Sequence, residues 1–400
     1  AQTLGRIGDE SVVKPLVDVL NGREAPTVII ANSLVSLYDR FEEAHGEGRL
    51  IAELTAQAMR TQGTQNVVDA FDGVSAANLR PLVLIVGWLR NPVAARAVAQ
   101  YLGSSEVQSD VVEALVRHGH AVVDLLVEQL DSEDIGVRAA AVSALGRIRD
   151  RRAIPLLTSL LGRDEELTIP LLGALTSIGD PSALDRMFDL LNTSDAAVRR
   201  GVVSALNALG TAEMVHRVIP LLDNDNPGVR EAAVRVSGYF GYPECVDSLF
   251  ERCGDSDESV RRAAIEHVAH LDDPRTPGTL AQALTGDVAG VRATAAAAMA
   301  HVDSTKSIPH LIAALEDVDP WVRYFTARSL DRHRAREAAG PLARVAEFDR
   351  FQQVRIAALE ALSGIDVERA KSVAQSFMAS TDADLRHAAD LILRSCNGKL

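Results

Sequence analysis

Apolar positions along this chain form short helical stripes that return at a nearly fixed interval. Taking Val229-Arg230 as a reference, apolar or small residues follow at Ala233, Val236 and Phe240, three to four positions apart, on one side of an α-helix. A turn comes next, as in Gly179-Asp180-Pro181 or Asp272-Asp273-Pro274, with Asp placed to cap and Pro suited to the first helical position. A second apolar-periodic stretch then runs, such as Ile308 to Leu315, and an acidic turn such as Asp317-Val318-Asp319-Pro320 closes the unit. Neither helix can bury its stripe alone, so the pattern predicts helix pairs that stack on their neighbours.

The Val-Arg anchor recurs at Val137, Val198, Val229, Val260, Val291, Val322 and Val354, with Leu385-Arg386 continuing it and Leu167-Thr168 filling the gap. The steps from 137 are 30, 31, 31, 31, 31, 31, 32 and 31 residues, and fainter copies start at Val28, Leu79 and Val107. The opening Leu4-Gly5-Arg6-Ile7-Gly8-Asp9 matches Leu145-Gly146-Arg147-Ile148-Arg149-Asp150 and reads as the back half of an anchor helix. The expectation is an all-α, right-handed α-solenoid (superhelix) of about twelve helix pairs. Its first pair would be truncated in a longer chain and would present an apolar face. Residues 1–120 read as divergent repeats and 121–400 as regular ones, in one continuous solenoid.

The segment "DIGVRAAAVSALGRIRD" at 134–150 carries a further resemblance. It is similar to the HEAT-like repeats of the phycobilin-lyase type, which read D-x-x-x-V-R-x-x-A-x-x-A-L-G-x-I-G-D before a second helix ending L-x-x-L-L. The likeness covers nearly all of 121–395. It implies a solenoid whose anchor-bearing helices line the concave surface, and it implies no one function, because the family serves many tasks.

The rule frays between Tyr38 and Asn78, where the anchor spacing is 51 residues. "YDRFEEAHGEGR" reads as a loop or a frayed helix end, Leu50 to Met59 as helix, 61–66 as a linker and 67–71 as a short extra helix. The insertion is either a tolerated surface addition or a docking element.

Composition narrows the class. With 47% apolar and 24% charged residues, the chain is a folded, soluble type. Its longest apolar run, Pro81 to Leu89, is far short of the roughly 20 residues of a membrane span. The balance of 41 basic against 55 acidic residues gives −14, which argues against a bulk nucleic-acid binder. Three cysteines without a CxxC pair fit a reducing compartment, so the expected location is cytoplasmic. Four Lys among the 41 basic residues hint at a GC-rich bacterial genome.

Enzyme chemistry finds no motif: there is no Walker loop, no GxSxG and no zinc spacing. One HEAT-like family, the deoxyhypusine hydroxylases, holds a di-iron centre through His-Glu pairs. Here no His precedes a Glu; His387 sits near the right place but is followed by Ala388, and Glu266-His267 is reversed. The reading is therefore non-catalytic, with no cofactor and no metal. Cys253 occupies a phase filled elsewhere by Leu161, Leu222 and Leu315 and reads as a small core residue, with Cys245 earlier in the same helix and Cys396 in the C-terminal tail. The recurring arginines, from Arg138 to Arg386, read as structural. Asp134, Asp195, Asn226, Asp257, Asp319 and Asp382 stand three before the anchor as caps, and Asp and Arg together bridge neighbouring repeats.

One constellation rises above the repeat. Ten residues after successive anchors stand Tyr239, His270, His301 and Arg332, and the same helix faces add Glu231 and Arg235, Arg262 and Glu266, then Tyr324 and Arg328. Equal offsets give equal rotation on parallel helices, so these residues form a row. The row is a solvated face, a partner-binding strip, or a two-histidine metal site that lacks a carboxylate at its phase; His267 reads as partly buried and not a ligand. The working expectation is a protein–protein interaction scaffold or regulatory module. It would hold another protein or peptide in its concave groove through Tyr239, His270, His301, Tyr324, Arg328 and Arg332. The alternative is a lyase- or hydroxylase-like enzyme subunit acting with a partner chain.

Overall fold

The structure, a computed structural model, describes residues 1–396; among them there is no β-strand, and short 3-10 turns are interspersed among the α-helices. The chain is an all-α solenoid that divides into two compact bodies, residues 1–190 with 204–209, and residues 191–203 with 210–400.

In the first body the anchor helices Thr27–His45, Leu79–Leu89, Gln108–His118, Ile135–Ile148 and Glu165–Ile178 pack in sequence, each on the next. The long anchor spacing is accounted for by one additional helix, Gly48–Ala58, which packs on Thr27–His45 and Leu79–Leu89. The stretch read as a frayed end is regular helix to His45, stopped by Gly46 at φ 68°, a left-handed cap. The stretch read as a linker is also helix, Thr61–Asp69. Its polar side chains support it: Gln62 donates to Asn66 and Gln65 to Asp69 one turn on, and Asn66 donates to the carbonyls of Leu20 and Gly22. At the start of the chain, Leu4 and Ile7 of the helix Gln2–Ile7 are exposed.

In the second body the anchor helices Pro227–Phe240, Glu258–Val268, Ala289–Ala298, Pro320–Arg332, Gln352–Ile365 and Ala383–Cys396 form one layer, with the intervening helices behind it. The core stripe is the one the periodicity picks out: Val229, Ala233 and Val236 are buried, as are Val260, Ala264 and Val291. Phe240 departs from it. It is half-buried, stacked on Tyr242 with ring centroids 5.3 Å apart. It also lies over Gly210, where a Cβ would come within 1.9 Å of its ring.

The caps form as expected at Asp134, Asp195, Asn226, Asp257, Asp319 and Asp382, each accepting from backbone N–H groups two or three residues on. The bridging carboxylates are for the most part different ones. Arg230 holds Asp255, Arg261 holds Asp287, Arg292 holds Asp317 and Arg323 holds Asp349, each pair with two hydrogen bonds. The same guanidiniums donate Nη1 back to their own acidic turn, Arg230 to the carbonyls of Asn224 and Asp225, Arg261 to those of Asp255 and Ser256. At Asp164 cap and bridge coincide: it accepts from Leu167 N–H and from Arg138. Thr168 replaces the arginine in that helix and bonds its own Asp164 carbonyl.

Cys245 is buried and Cys253 half-buried, with its Sγ 3.5 Å from the Leu249 carbonyl. Burial pushes their thiols up, to about 11 and about 12. The side chain of Cys396 lies outside the described part of the chain.

Candidate functional site

The exposed face of the anchor helices in the second body carries the side chains two, six and ten residues after each anchor. Its first two rows are largely tied up in ion pairs. Arg235 bonds Glu231 one turn back at 2.9 Å and reaches Glu266 of the next anchor helix at 3.5 Å. Arg328 pairs with Glu360 at 3.1 Å. All these side chains are at least partly exposed, so each pair contributes little to stability.

The third row differs. Tyr239, His270, His301 and Arg332 sit in the last turn of their helices or just beyond, and all four are exposed. Cationic groups there meet the negative end of the helix dipole. The rings of His270 and His301 meet edge to face with centroids 4.5 Å apart, which joins two successive repeats. Burial and the neighbouring His270, Arg332 and His333 hold His301 below the usual histidine range. Arg262 and Arg332 have no ion-pair partner among the described residues. Of the six residues picked out from the sequence, Tyr324 is the one not freely exposed. It is half-buried in an aromatic cluster, 5.7 Å from Trp321 and 5.2 Å from Phe325 between ring centroids. His267 is half-buried, as its phase suggests; its ring lies on Gly238, and burial lowers its pKa.

Between the two sides lies a hollow of about 580 Å³. The helix Ala289–Ala298 forms its floor, because Ala293 and Ala297 stand where the neighbouring helices carry Arg262 and Glu266 or Tyr324 and Arg328. Arg262, Glu266 and His270 line one wall and Asp319, Trp321 and Phe325 the other, and His301 closes the end. Sequence reasoning missed this feature. The available signal was a gap: at offsets two and six, the repeat starting at Val291 offers only alanine.

Among the described residues, no group of three or more His, Cys, Asp or Glu side chains is placed to hold a metal ion, and no helix is long and apolar enough to cross a membrane. The arrangement offers polar, aromatic and cationic contacts over several repeats.

Comparison with known proteins agrees with this architecture. A family model described as HEAT repeats matches residues 94–169, 164–227, 215–300 and 308–394, and a PBS lyase HEAT-like repeat model matches 291–317. No curated protein matches the sequence. Among solved structures, yeast importin-beta (Kap95p) is 12% identical, with 99% of this chain and 70% of that chain covered and a TM-score of 0.60. The karyopherin Kap121p, bound to the extreme C-terminus of the protein phosphatase Cdc14p, is 11% identical, with 97% and 54% covered and a TM-score of 0.63. This chain thus spans about half the length of Kap121p. At such identities the likeness is one of fold.

Proposed function

From the premise that the chain belongs to the HEAT-repeat family, we propose that it is a non-catalytic scaffold. It would bind a segment of another protein along the exposed face of the anchor helices in its second body. The observation that carries this reading is the exposure of Tyr239, His270, His301 and Arg332 at equal offsets, with His270 and His301 in contact. Nothing in the repeat requires these residue types, since other repeats place Ser177, Ala208 and Gly364 at the same offset. Tyr and Arg are favoured binding anchors. Two solenoids of like fold lend support: Kap121p holds a C-terminal segment of Cdc14p, and Kap95p binds RanGDP. A repeated surface of this kind binds by complementarity, with a few side chains carrying most of the energy.

The test replaces Tyr239, His301 and Arg332 together by Ala. Helical circular dichroism and melting should barely change, because exposed substitutions cost little. Proteins captured from cell extract are then quantified for both forms. At least one partner of the wild type should lose more than tenfold in affinity, about 1.4 kcal/mol. An unchanged partner set with unchanged affinities overturns the reading.

A further inference from the structure

We infer that the hollow across the helices Glu258–Val268, Ala289–Ala298 and Pro320–Arg332 takes an acidic peptide segment in which a carboxylate lies close to one bulky apolar side chain. This rests on the scaffold reading above and names the class of partner.

The argument begins with charge. The chain carries −14, yet several carboxylates on this face have a cation: Glu231 and Glu266 share Arg235, and Glu360 has Arg328. At the end where these helices finish, what is left without an ion pair is cationic or can become so, namely Arg332 with the His270–His301 pair, and Arg262 stands unpaired further back. The face also has a direction. The carboxylates without an ion pair, Glu258 over Gly290 and Asp319 in the lining, stand at the end where the helices begin, whereas His270, His301 and Arg332 stand where they end. A basic segment would meet unpaired cations there, and a metal cation would meet Arg332 beside only two imidazoles. An anionic side chain from a partner is what this end lacks.

Shape gives the second half. The floor at Ala293 and Ala297 leaves room that a Leu, Phe or Trp side chain would fill, against the exposed indole of Trp321 and the ring of Phe325. Trp321 is 58% exposed, a large aromatic surface left in water. Burying it under a ligand gives the apolar contribution, and the cations give direction and specificity. The separation follows from helix geometry. Ala297 and His301 are four residues apart, the last three in a 3-10 turn, so the apolar and cationic subsites are separated by roughly 6–8 Å at about 1.5–2 Å per residue. An extended segment covers that distance in about two residues at roughly 3.3 Å each, and a helical one in about four. The partner's acid and its bulky side chain should therefore be two to four positions apart.

The experiment presents a random twelve-residue peptide library on phage to the whole chain, followed by fluorescence polarisation with the selected peptides made synthetically. The expected consensus pairs Asp or Glu with Leu, Phe or Trp at that spacing. Changing the acid to its amide should weaken binding at least tenfold. So should Ala297→Gln, which fills the hollow without adding charge, and Arg332→Ala, with partial recovery in Arg332→Lys. Circular dichroism and melting of each variant show that it is folded. A consensus without an acid, selected peptides indifferent to Ala297→Gln, or no selected peptide at all overturns the inference. The captured-protein comparison with the triple variant separates the two proposals. If that partner set changes while the peptide results fail, the scaffold stands and this hollow is not its peptide site; if both fail, both readings fall.

Discussion

Arg230, at the start of one anchor helix, and Asp255, in the acidic turn before the next, are joined by two hydrogen bonds, Nε to Oδ2 at 2.9 Å and Nη2 to Oδ1 at 2.7 Å. The two side chains are only 11% and 3% exposed, so solvent screens the pair weakly. Arg230→Ala leaves Asp255 short of its main partner and should cost about 3 kcal/mol in denaturant unfolding. The comparison is Arg49→Ala, which removes a pair whose arginine is 88% exposed and should cost less than about 0.5 kcal/mol. Equal costs would mean that the ladder is surface decoration.

The same ladder sets the response to acid. Burial pushes Asp255, Asp317 and Asp349 up, but hydrogen bonds and charge from Arg230, Arg292 and Arg323 bring each below the ordinary 3.8. Asp287 is lowered chiefly by its hydrogen bond from Arg261. A carboxyl that is more acidic when folded stabilises the fold above its unfolded pKa and loses that contribution as pH falls through the folded value. His118 and His267, lowered from 6.5 by burial, act on the same side of the scale: their contribution is complete above 6.5 and fades as pH falls through their folded values. Stability should decline gently below 6.5 and steeply below 3.8. Arg261→Met should flatten the steep limb. Stability that rises on acidification would contradict the assignment.

Leu206 and Leu330 occupy the same phase in different repeats, and both are fully buried. Replacing either by Ala should cost about 2–5 kcal/mol, read from the shift in denaturant midpoint. Two neutral results would show that the core stripe has been assigned to the wrong face.

Gly210 has no room for a side chain, because the Phe240 ring covers it. Gly210→Ala must displace that ring and should cost about 1–3 kcal/mol. Shortening the ring in Gly210→Ala/Phe240→Leu should recover part of the loss relative to the two single changes. Strict additivity in that cycle would remove the contact as the cause.

Much of this architecture could be read directly, because a 31-residue spacing repeated many times leaves little freedom in register. Val229, Ala233 and Val236 face the core as their spacing requires, and the capping residues cap. The helix at 61–69 was hidden because Thr61 to Asn66 is polar and reads like a turn; its support comes from Asn66, which reaches Leu20 and Gly22 through space. Neighbouring aspartates could not be told apart by type. Asp257 caps and Asp255 bridges, and only the geometry of Arg230 distinguishes them. The meeting of His270 and His301 follows from their equal offsets, but the hollow beside them was not legible, since a cavity made by Ala293 and Ala297 is defined by what its neighbours carry.

The double grip of Arg230 and Arg261, on the turn behind and the carboxylate ahead, makes the length of this protein negotiable. Excising 229–259 would place Val260-Arg261 directly after Asn226-Pro227-Gly228. Arg261 would inherit the turn carbonyls that Arg230 now holds, while keeping Asp287 ahead of it. The cut rung is remade by its successor, with a cap already in position. Such a chain should fold as a shorter molecule with an undiminished helical signal per residue. Unequal recombination within a gene of this design would then lengthen or trim the product in steps of one repeat, and selection could adjust how many contact rows it offers without redesigning any of them.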